Sequence, residues 1–497
     1  MRSSLFKHIW LIQPPDPIPP VTPVDAAGGS TVRYSPSWDL LCLQSFLLER
    51  TGHTCSVIDT RVFDHLSDAL QILDQPIEHG TETVAIIYAD VLNLGMVGAI
   101  VAHLHSHHPT MTVILCGPLV DSFPETVRLI PHVHFGLCGD PEVILRNLLD
   151  FIDISHRLKL VPGLIMPDEP SRAPHWMDRL QGLSLPEWYR VNWASYKTTD
   201  DHETLRVEIR LSRGIPAGVE RLAFAKPNEP VRVWSLPAMA QSFQNSAGQG
   251  IAEIFLADPP GFWTDDQIME WCRQLNVFRN TQPWGIQLFP RELSIELLDA
   301  MAGNACHRVE FIIPTCEPAL KARYGITIAD DAMRELISQM EARNISAQMI
   351  YWIQGPNEKE NESVLVFRHI AALGYPKFAL HPFPLHHDSL LYAEELAMGK
   401  PVPPLSEWIT WGQNPDLAHP PVALWDGVAG LNRCRSTMQS IQRKIIRNPG
   451  RHVNRITRQL HLFAAVNRIR FVLQGWLKRK QKKAGHTAGQ RISDDRP

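Results

Sequence analysis

A chain of 497 residues with a 44% apolar share is long enough for about two to four domains with cores of their own, which excludes a small disulfide-stapled module. Its eight cysteines include no CxxC or CxxxC pair, so the sequence carries no disulfide framework and no local thiolate knuckle, and a reducing, cytoplasmic setting is expected. The formal charge of -4 conceals an asymmetry, because residues 431–497 hold 17 Lys or Arg against 2 Asp or Glu, whereas residues 1–430 hold 31 against 50.

The chain opens on MRSSLFKHIWLIQPP, whose apolar run is short and is followed by a proline pair without a small-residue cleavage site; it reads as a first buried strand, not a signal peptide. No window reaches 18 apolar residues, so no membrane span is expected. Ile9 to Ile12 is the first strand, and Leu40 to Leu48 a helix with leucines at helical spacing. Strands follow at Cys55 to Ile58, Val84 to Tyr88, Val113 to Leu115 and Phe135 to Leu137, with helices from Leu94 to Leu104 and from Val143 to Phe151. Strands alternating with helices imply a parallel sheet covered on both faces, which takes ligands beyond the carboxyl ends of its strands. Gly117 and Gly139 fall at such ends, where a missing side chain leaves either room for a flat ligand or a tight turn. His105, His107 and His108 read as a solvated helix end.

Residues 152–204, rich in proline and scattered aromatics, read as a strap across a domain joint. From Leu205 the pattern starts again. Leu205, Val207, Ile209 and Leu211 alternate with Arg206, Glu208, Arg210 and Ser212, the period of a strand with one apolar face, and Ser212-Arg213-Gly214 ends it. Five further strands are expected at Ile251 to Leu256, Gly285 to Phe289, Val309 to Ile313, Gln348 to Ile353 and Phe378 to Pro382. Between them lie helices at Arg232 to Phe243, Thr264 to Leu275 with Thr264 as cap, Leu293 to Met301, Ala329 to Ala342 and Glu358 to Ala372.

These segments resemble the radical S-adenosylmethionine (SAM) enzymes that carry a cobalamin-binding domain, the group of anaerobic cyclases and cobalamin-dependent methyltransferases. Pro14-Pro15, Gly52-His53 before Asp59, Cys116-Gly117-Pro118-Leu119 and Gly139-Asp140-Pro141-Glu142 match in order that domain's proline pair, GH, GGPH and GEGE motifs. Ser212-Arg213-Gly214 matches the SRG before the family's CxxxCxxC motif, whose three thiolates hold a [4Fe-4S] cluster. In this sequence those three positions are Ile215, Val219 and Leu222, whose side chains offer iron no lone pair. Gly355-Pro356-Asn357-Glu358 resembles the family's turn after the fifth strand, which makes Gly355 the trace of a SAM site. Cys116 and Leu119 depart from the glycine and histidine of GGPH, and no DxHxxG motif is present, so a histidine ligand to cobalt is not expected.

The resemblance implies an α/β protein: an N-terminal Rossmann-like, cobalamin-binding-type domain over residues 1–151, a connector over 152–204 and a partial (β/α)6 barrel over 205–400. A proline- and tryptophan-rich excursion over 401–430 and a basic helical tail complete it. It implies cobalamin as a candidate ligand, with Gly117 and Gly139 as its contacts, no [4Fe-4S] cluster of the usual kind, and little to retain SAM. Two functions stay open. One is a catalytically silent relative acting as scaffold, partner subunit of an intact radical SAM paralogue, or cobalamin binder; the other is a methyltransferase or cyclase-like enzyme with a rebuilt cluster.

Other chemistry-bearing groups are sparse. His381, His386 and His387 with Asp388 could take a metal, though H-x4-H-H fits no established ligand spacing. Asp258, Glu310 and Glu358 near strand ends could form an acid–base pair, but no nucleophile accompanies them. In the tail, Val453, Ile456, Leu460, Phe463, Val466, Ile469, Val472 and Trp476 recur every three or four residues amid arginines, the pattern of an amphipathic helix over 431–480. It fits docking on the chain itself, on another copy or on anionic lipid at a membrane surface; aromatics alternating with basic residues are missing, which argues against nucleic acid. Residues 481–497 are expected to be disordered.

Overall fold

The computed structural model describes residues 8–15, 35–63, 66–74, 83–90, 93–152, 154–196, 205–214, 229–353, 362–375, 377–382 and 397. The first half runs β1 (His8–Gln13), α1 (Trp38–Arg50), β2 (Thr54–Asp59), α2 (Leu66–Gln71), β3 (Thr83–Tyr88), α3 (Leu94–His107), β4 (Thr112–Cys116), α4 (Pro118–Ser122), α5 (Thr126–Leu129), β5 (Phe135–Leu137), α6 (Pro141–Phe151), α7 (Ser155–Leu158) and β6 (Leu164–Ile165). These strands form one sheet in the order β2-β1-β3-β4-β5-β6, parallel except for β6, which runs antiparallel to β5. The period of two decides its layers. Ile9 and Leu11 pack with α1 and α6, while Trp10 and Ile12 pack with α3, so both faces are covered.

The second half runs β7 (Arg206–Ile209), β8 (Ser212–Arg213), β9 (Arg232–Val233), α8 (Leu236–Asn245), β10 (Glu253–Leu256), α9 (Asp265–Val277), β11 (Trp284–Leu288), α10 (Ile295–Gly303), β12 (Cys306–Ile313), α11 (Pro318–Arg323), α12 (Asp330–Glu341), β13 (Ser346–Ile353), α13 (Glu362–Leu373) and β14 (Phe378–Pro382). Six strands, β7 and β10 to β14, pair in chain order and all in parallel. Thr264 caps α9 as its sequence foretells: its hydroxyl accepts from Gln267 N–H while the Gln267 side chain accepts from Thr264 N–H, and Asp265 and Asp266 meet the positive end of the helix.

One face of this sheet is apolar and the other charged. Val207, Ile209, Ile254, Leu256, Ile286, Leu288, Val309 and Phe311 pack with helix residues such as Phe243, Trp271 and Leu298, and each fully buried aliphatic contributes roughly 1.5–3 kcal/mol. Alternate positions put Arg206, Glu253, Arg308 and Glu310 on the opposite face. There the Arg206 guanidinium lies 2.6 Å from Glu310, although β10 and β11 intervene between their strands. Side chains of that length meet across two strands only if the sheet curls toward its charged face.

The helix expected from Arg232 begins later. Arg232 and Val233 stay extended because they pair with Arg213 and Ser212, and α8 starts after Ser235 with Pro237 in its first turn. Cys306 opens β12 instead of preceding it. No helix among the described residues is long and apolar enough to cross a membrane.

Candidate functional site at the joint of the two sheets

The carboxyl ends of β5 and β7 meet through four buried charged side chains. Asp140 precedes α6 without a capping hydrogen bond from its side chain, and Glu142 sits in the first turn, where the helix dipole favours acids. The Arg213 guanidinium takes Glu142 with both prongs, at 2.6 and 3.0 Å, and reaches Asp140 at 3.1 Å. Arg232 pairs with the other oxygen of Asp140, which also accepts from Met177 N–H at 2.6 Å. Burial alone would lower the Arg213 pKa, but the carboxylates led by Glu142 outweigh it and hold the guanidinium charged well above its ordinary range.

Beside this clasp lies Asp258, at the end of β10 and wholly buried. Its Oδ1 accepts from Leu211 N–H at 2.9 Å, Ser212 N–H at 2.8 Å and the Ser212 hydroxyl at 2.7 Å, while Oδ2 has no partner among the described residues. Burial pushes the carboxyl up to about 6 despite those three hydrogen bonds. Arg210, on the strand extension before Leu211, is exposed and makes no ion pair or hydrogen bond among the described residues. The acids Asp39 and Asp258 and the Tyr88 phenol surround it, and Tyr88 in turn donates to Asp39 at 3.3 Å. Burial works against its charge, but Asp39, Tyr88, Asp258 and Glu208, drawn from both sheets, outweigh it and hold the guanidinium charged.

The two glycines are filled by the chain itself. Gly139 has φ +117°, and a Cβ there would lie 2.1 Å from the His175 carbonyl oxygen, because the connector runs over it and His175 bonds to both Cys138 and Asp140. Gly117 has φ +102°, and its Cβ would lie 2.9 Å from Ala89 O and 3.2 Å from the Tyr88 ring. At both positions a positive φ and the close approach of the chain itself account for the glycine. Ile215, Val219, Leu222, Gly355, Glu358, His386 and His387 lie outside the described residues, as does the tail. The backbone of His381 pairs with Trp352 in β14. Asp258 and Glu310 form no acid–base pair: the first is held by Leu211 and Ser212, the second by Arg206.

Among the described residues no three cysteines converge. Cys42, Cys116, Cys138, Cys272, Cys306 and Cys316 are buried thiols in no disulfide, and burial pushes Cys42, Cys116 and Cys306 well above the ordinary thiol range, so these three stay protonated. Among the described residues the groups that converge with metal-ligand spacing are Asp74, His103 and His107, on the first domain. Sequence reading passed over His103; its spacing of four from His107 on a helix was the available signal.

No family model matches this chain, and no curated protein matches it. Solved structures do. The radical SAM methyltransferase TsrM from Kitasatospora setae, solved with cobalamin and a [4Fe-4S] cluster, is 15% identical with a TM-score of 0.58, over 79% of this chain and 75% of that one. The same enzyme with tryptophan substrate and a SAM analogue gives 16% and 0.56, over 78% and 76%. The cobalamin-dependent SAM radical enzyme OxsB with aqua-cobalamin is 12% identical with a TM-score of 0.55, and covers 81% of this chain, which spans 56% of its length. At these identities the likeness is one of fold: this chain has the α/β architecture of cobalamin-dependent radical SAM enzymes. The cluster of that fold does not fit here, since Ile215, Val219 and Leu222 supply no ligand and no three of the described cysteines converge. At Gly117 and Gly139 the space that a Cβ would take is filled by Ala89, Tyr88 and His175, so the chain itself makes the close approach there.

Proposed function

We propose that this chain is a catalytically silent protein on a radical-SAM-like fold, acting as a scaffold or as the non-catalytic partner of an intact radical SAM enzyme. The observation that carries this reading is the replacement of all three cluster thiolates by Ile215, Val219 and Leu222. Radical chemistry belongs to the cofactor, and a chain that cannot hold the cluster has no means of cleaving SAM reductively. The joint supports the same reading. Glu142 and Arg213, which stand in the two motifs most like the family's, saturate each other in a structural clasp, and the space over Gly139 is closed by the connector.

Anaerobic reconstitution of the full chain with iron and sulfide tests this. The expected product is colourless protein without a Mössbauer signal of a four-iron cluster; near-stoichiometric iron with that signal would falsify the proposal and favour a methyltransferase or cyclase-like enzyme with a rebuilt site. Cobalamin titration divides the silent versions: uptake by cluster-free protein makes it a carrier or sensor, and no uptake makes it a scaffold.

A further inference from the structure

We propose that Asp74, His103 and His107 form a binding site for a borderline divalent transition metal, of the Zn2+, Co2+ or Ni2+ class, that staples the 3-10 turn Ile72–Asp74 to the carboxyl end of α3. This inference does not depend on the cluster reading, since it concerns another face of the first domain.

His103 and His107 are four apart on α3 and therefore project from one side of it, with rings stacked at a centroid distance of 4.1 Å. Asp74 arrives from the preceding segment. Its Oδ1 is 2.7 Å from His103 Nε2 and 3.9 Å from His107 Nε2, and the three ligand atoms all lie within 4.8 Å of one another. A tetrahedral ion with bonds of about 2.0–2.2 Å needs donors roughly 3.3 Å apart, which partly exposed side chains reach by small rotations. Two imidazoles and a carboxylate are a borderline donor set that leaves a fourth position for water.

Supporting contacts organise the site before any ion arrives. His107 Nδ1 lies 2.8 Å from the Ser106 hydroxyl and 3.0 Å from the His103 carbonyl oxygen, and these contacts hold the ring with Nε2 toward Asp74, the nitrogen that would take the metal. Nearby, His108 Nε2 lies 2.9 Å from the Leu73 carbonyl and fastens the residue before Asp74 to the end of α3. A second histidine pair, His105 stacked on His132 at 3.5 Å, stands close by without a carboxylate within metal-ligand spacing and serves as an internal control.

The test is Co2+ titration of metal-stripped full-length protein, followed by visible d–d absorption, with Zn2+-dependent melting as a second readout. The parent is expected to take up Co2+ saturably in a tetrahedral environment and to melt higher with Zn2+. His107→Gln and Asp74→Asn, both at exposed positions, should bind at least tenfold more weakly and lose the Zn2+ shift while keeping the parent circular dichroism spectrum. The double variant His105→Gln with His132→Gln should behave as the parent. No uptake by the parent, uptake unchanged in His107→Gln, or loss in the control pair instead would each overturn the site.

Discussion

Arg213 Nη2 lies 2.6 Å from Glu142 Oε1, so an arginine of β8, just past the end of β7, is bonded to the first turn of α6 on the other six-stranded sheet. Both groups are almost wholly removed from water, with side-chain exposures of 12% and 0%. Removing Arg213 leaves Glu142 buried without compensation, which costs roughly 3–5 kcal/mol, whereas removing Glu142 leaves Arg213 still paired with Asp140. Arg213→Ala should therefore lower unfolding free energy by about that much in denaturant titrations, and Glu142→Ala by less. Arg213→Lys should recover little, because a point charge cannot grip both carboxylate oxygens. If the Glu142→Ala and Arg213→Ala losses simply add in the double variant, the two side chains are not coupled and the clasp is misassigned.

At Gly139 the expected effect is steric. An alanine Cβ would meet the His175 backbone at a φ that side chains rarely adopt, with roughly 1–3 kcal/mol of backbone strain before any clash is counted. Gly52→Ala, at φ +67° with open space around it, gives the cost of a milder positive φ without contact. Gly139→Ala should destabilise markedly more than Gly52→Ala and release the connector, read as faster amide exchange at His175. Equal losses would mean that the connector does not press on Gly139.

The unbroken apolar run of Ile9 to Ile12, buried on both faces, and the alternation of Leu205 to Leu211, with one apolar face, made both sheets legible. Short pieces such as α2, α4, α5 and the two-residue β6 carry too few apolar positions to register a period. The clasp was illegible for another reason: Asp140, Glu142, Arg213 and Arg232 lie far apart in sequence, and only the paired strand ends bring them together. Arg232 shows the conflict in one residue, because helical spacing continues through it while its partners hold it extended. The metal-ligand triad was missed because a helix-end histidine cluster reads as solvated surface until Asp74 is folded against it.

The tail supports a proposal from sequence alone. Its apolar stripe from Val453 to Trp476 needs a cover, and the rest of the chain is acidic, which favours docking on its own body or on a second copy. Apolar burial at roughly 25 cal/mol per Å² would supply most of the affinity. Leu460→Asp with Phe463→Asp is expected to lower solubility or break an oligomer, read by light scattering. Flotation of the parent but not the double variant with anionic liposomes, fold and oligomeric state unchanged, would make the tail a membrane-surface anchor instead.

Asp258 and His369 give the fold two opposed pH dependences in nearly the same window. The Asp258 carboxyl rises from 3.8 to about 6 on folding, mainly through burial. Its contribution to stability is therefore complete below the unfolded value and is lost as pH climbs through about 6, a change of about 3 kcal/mol at about 1.4 kcal/mol per unit. The His369 imidazole, 2.9 Å from the Tyr351 hydroxyl and 3.2 Å from Asp330, is pushed down from 6.5 to about 4 by burial, with Lys321 adding to the effect. Its contribution is present above the unfolded value and is lost as pH falls through about 4. Between about 4 and 6 the two slopes oppose each other, so single variants are needed to expose them. Asp258→Asn keeps an acceptor for Leu211 and Ser212 and puts an amide where Oδ2 lacks a partner; its stability relative to the parent should rise by about 2 kcal/mol from pH 4 to pH 6, and by about 3 kcal/mol once both ends of the transition are passed. His369→Gln should gain relative to the parent in the other direction, as pH falls from 6.5 to 4. Denaturant titrations at several pH values decide it: a parent–variant difference that does not move with pH would show that the group titrates alike in the folded and unfolded chains.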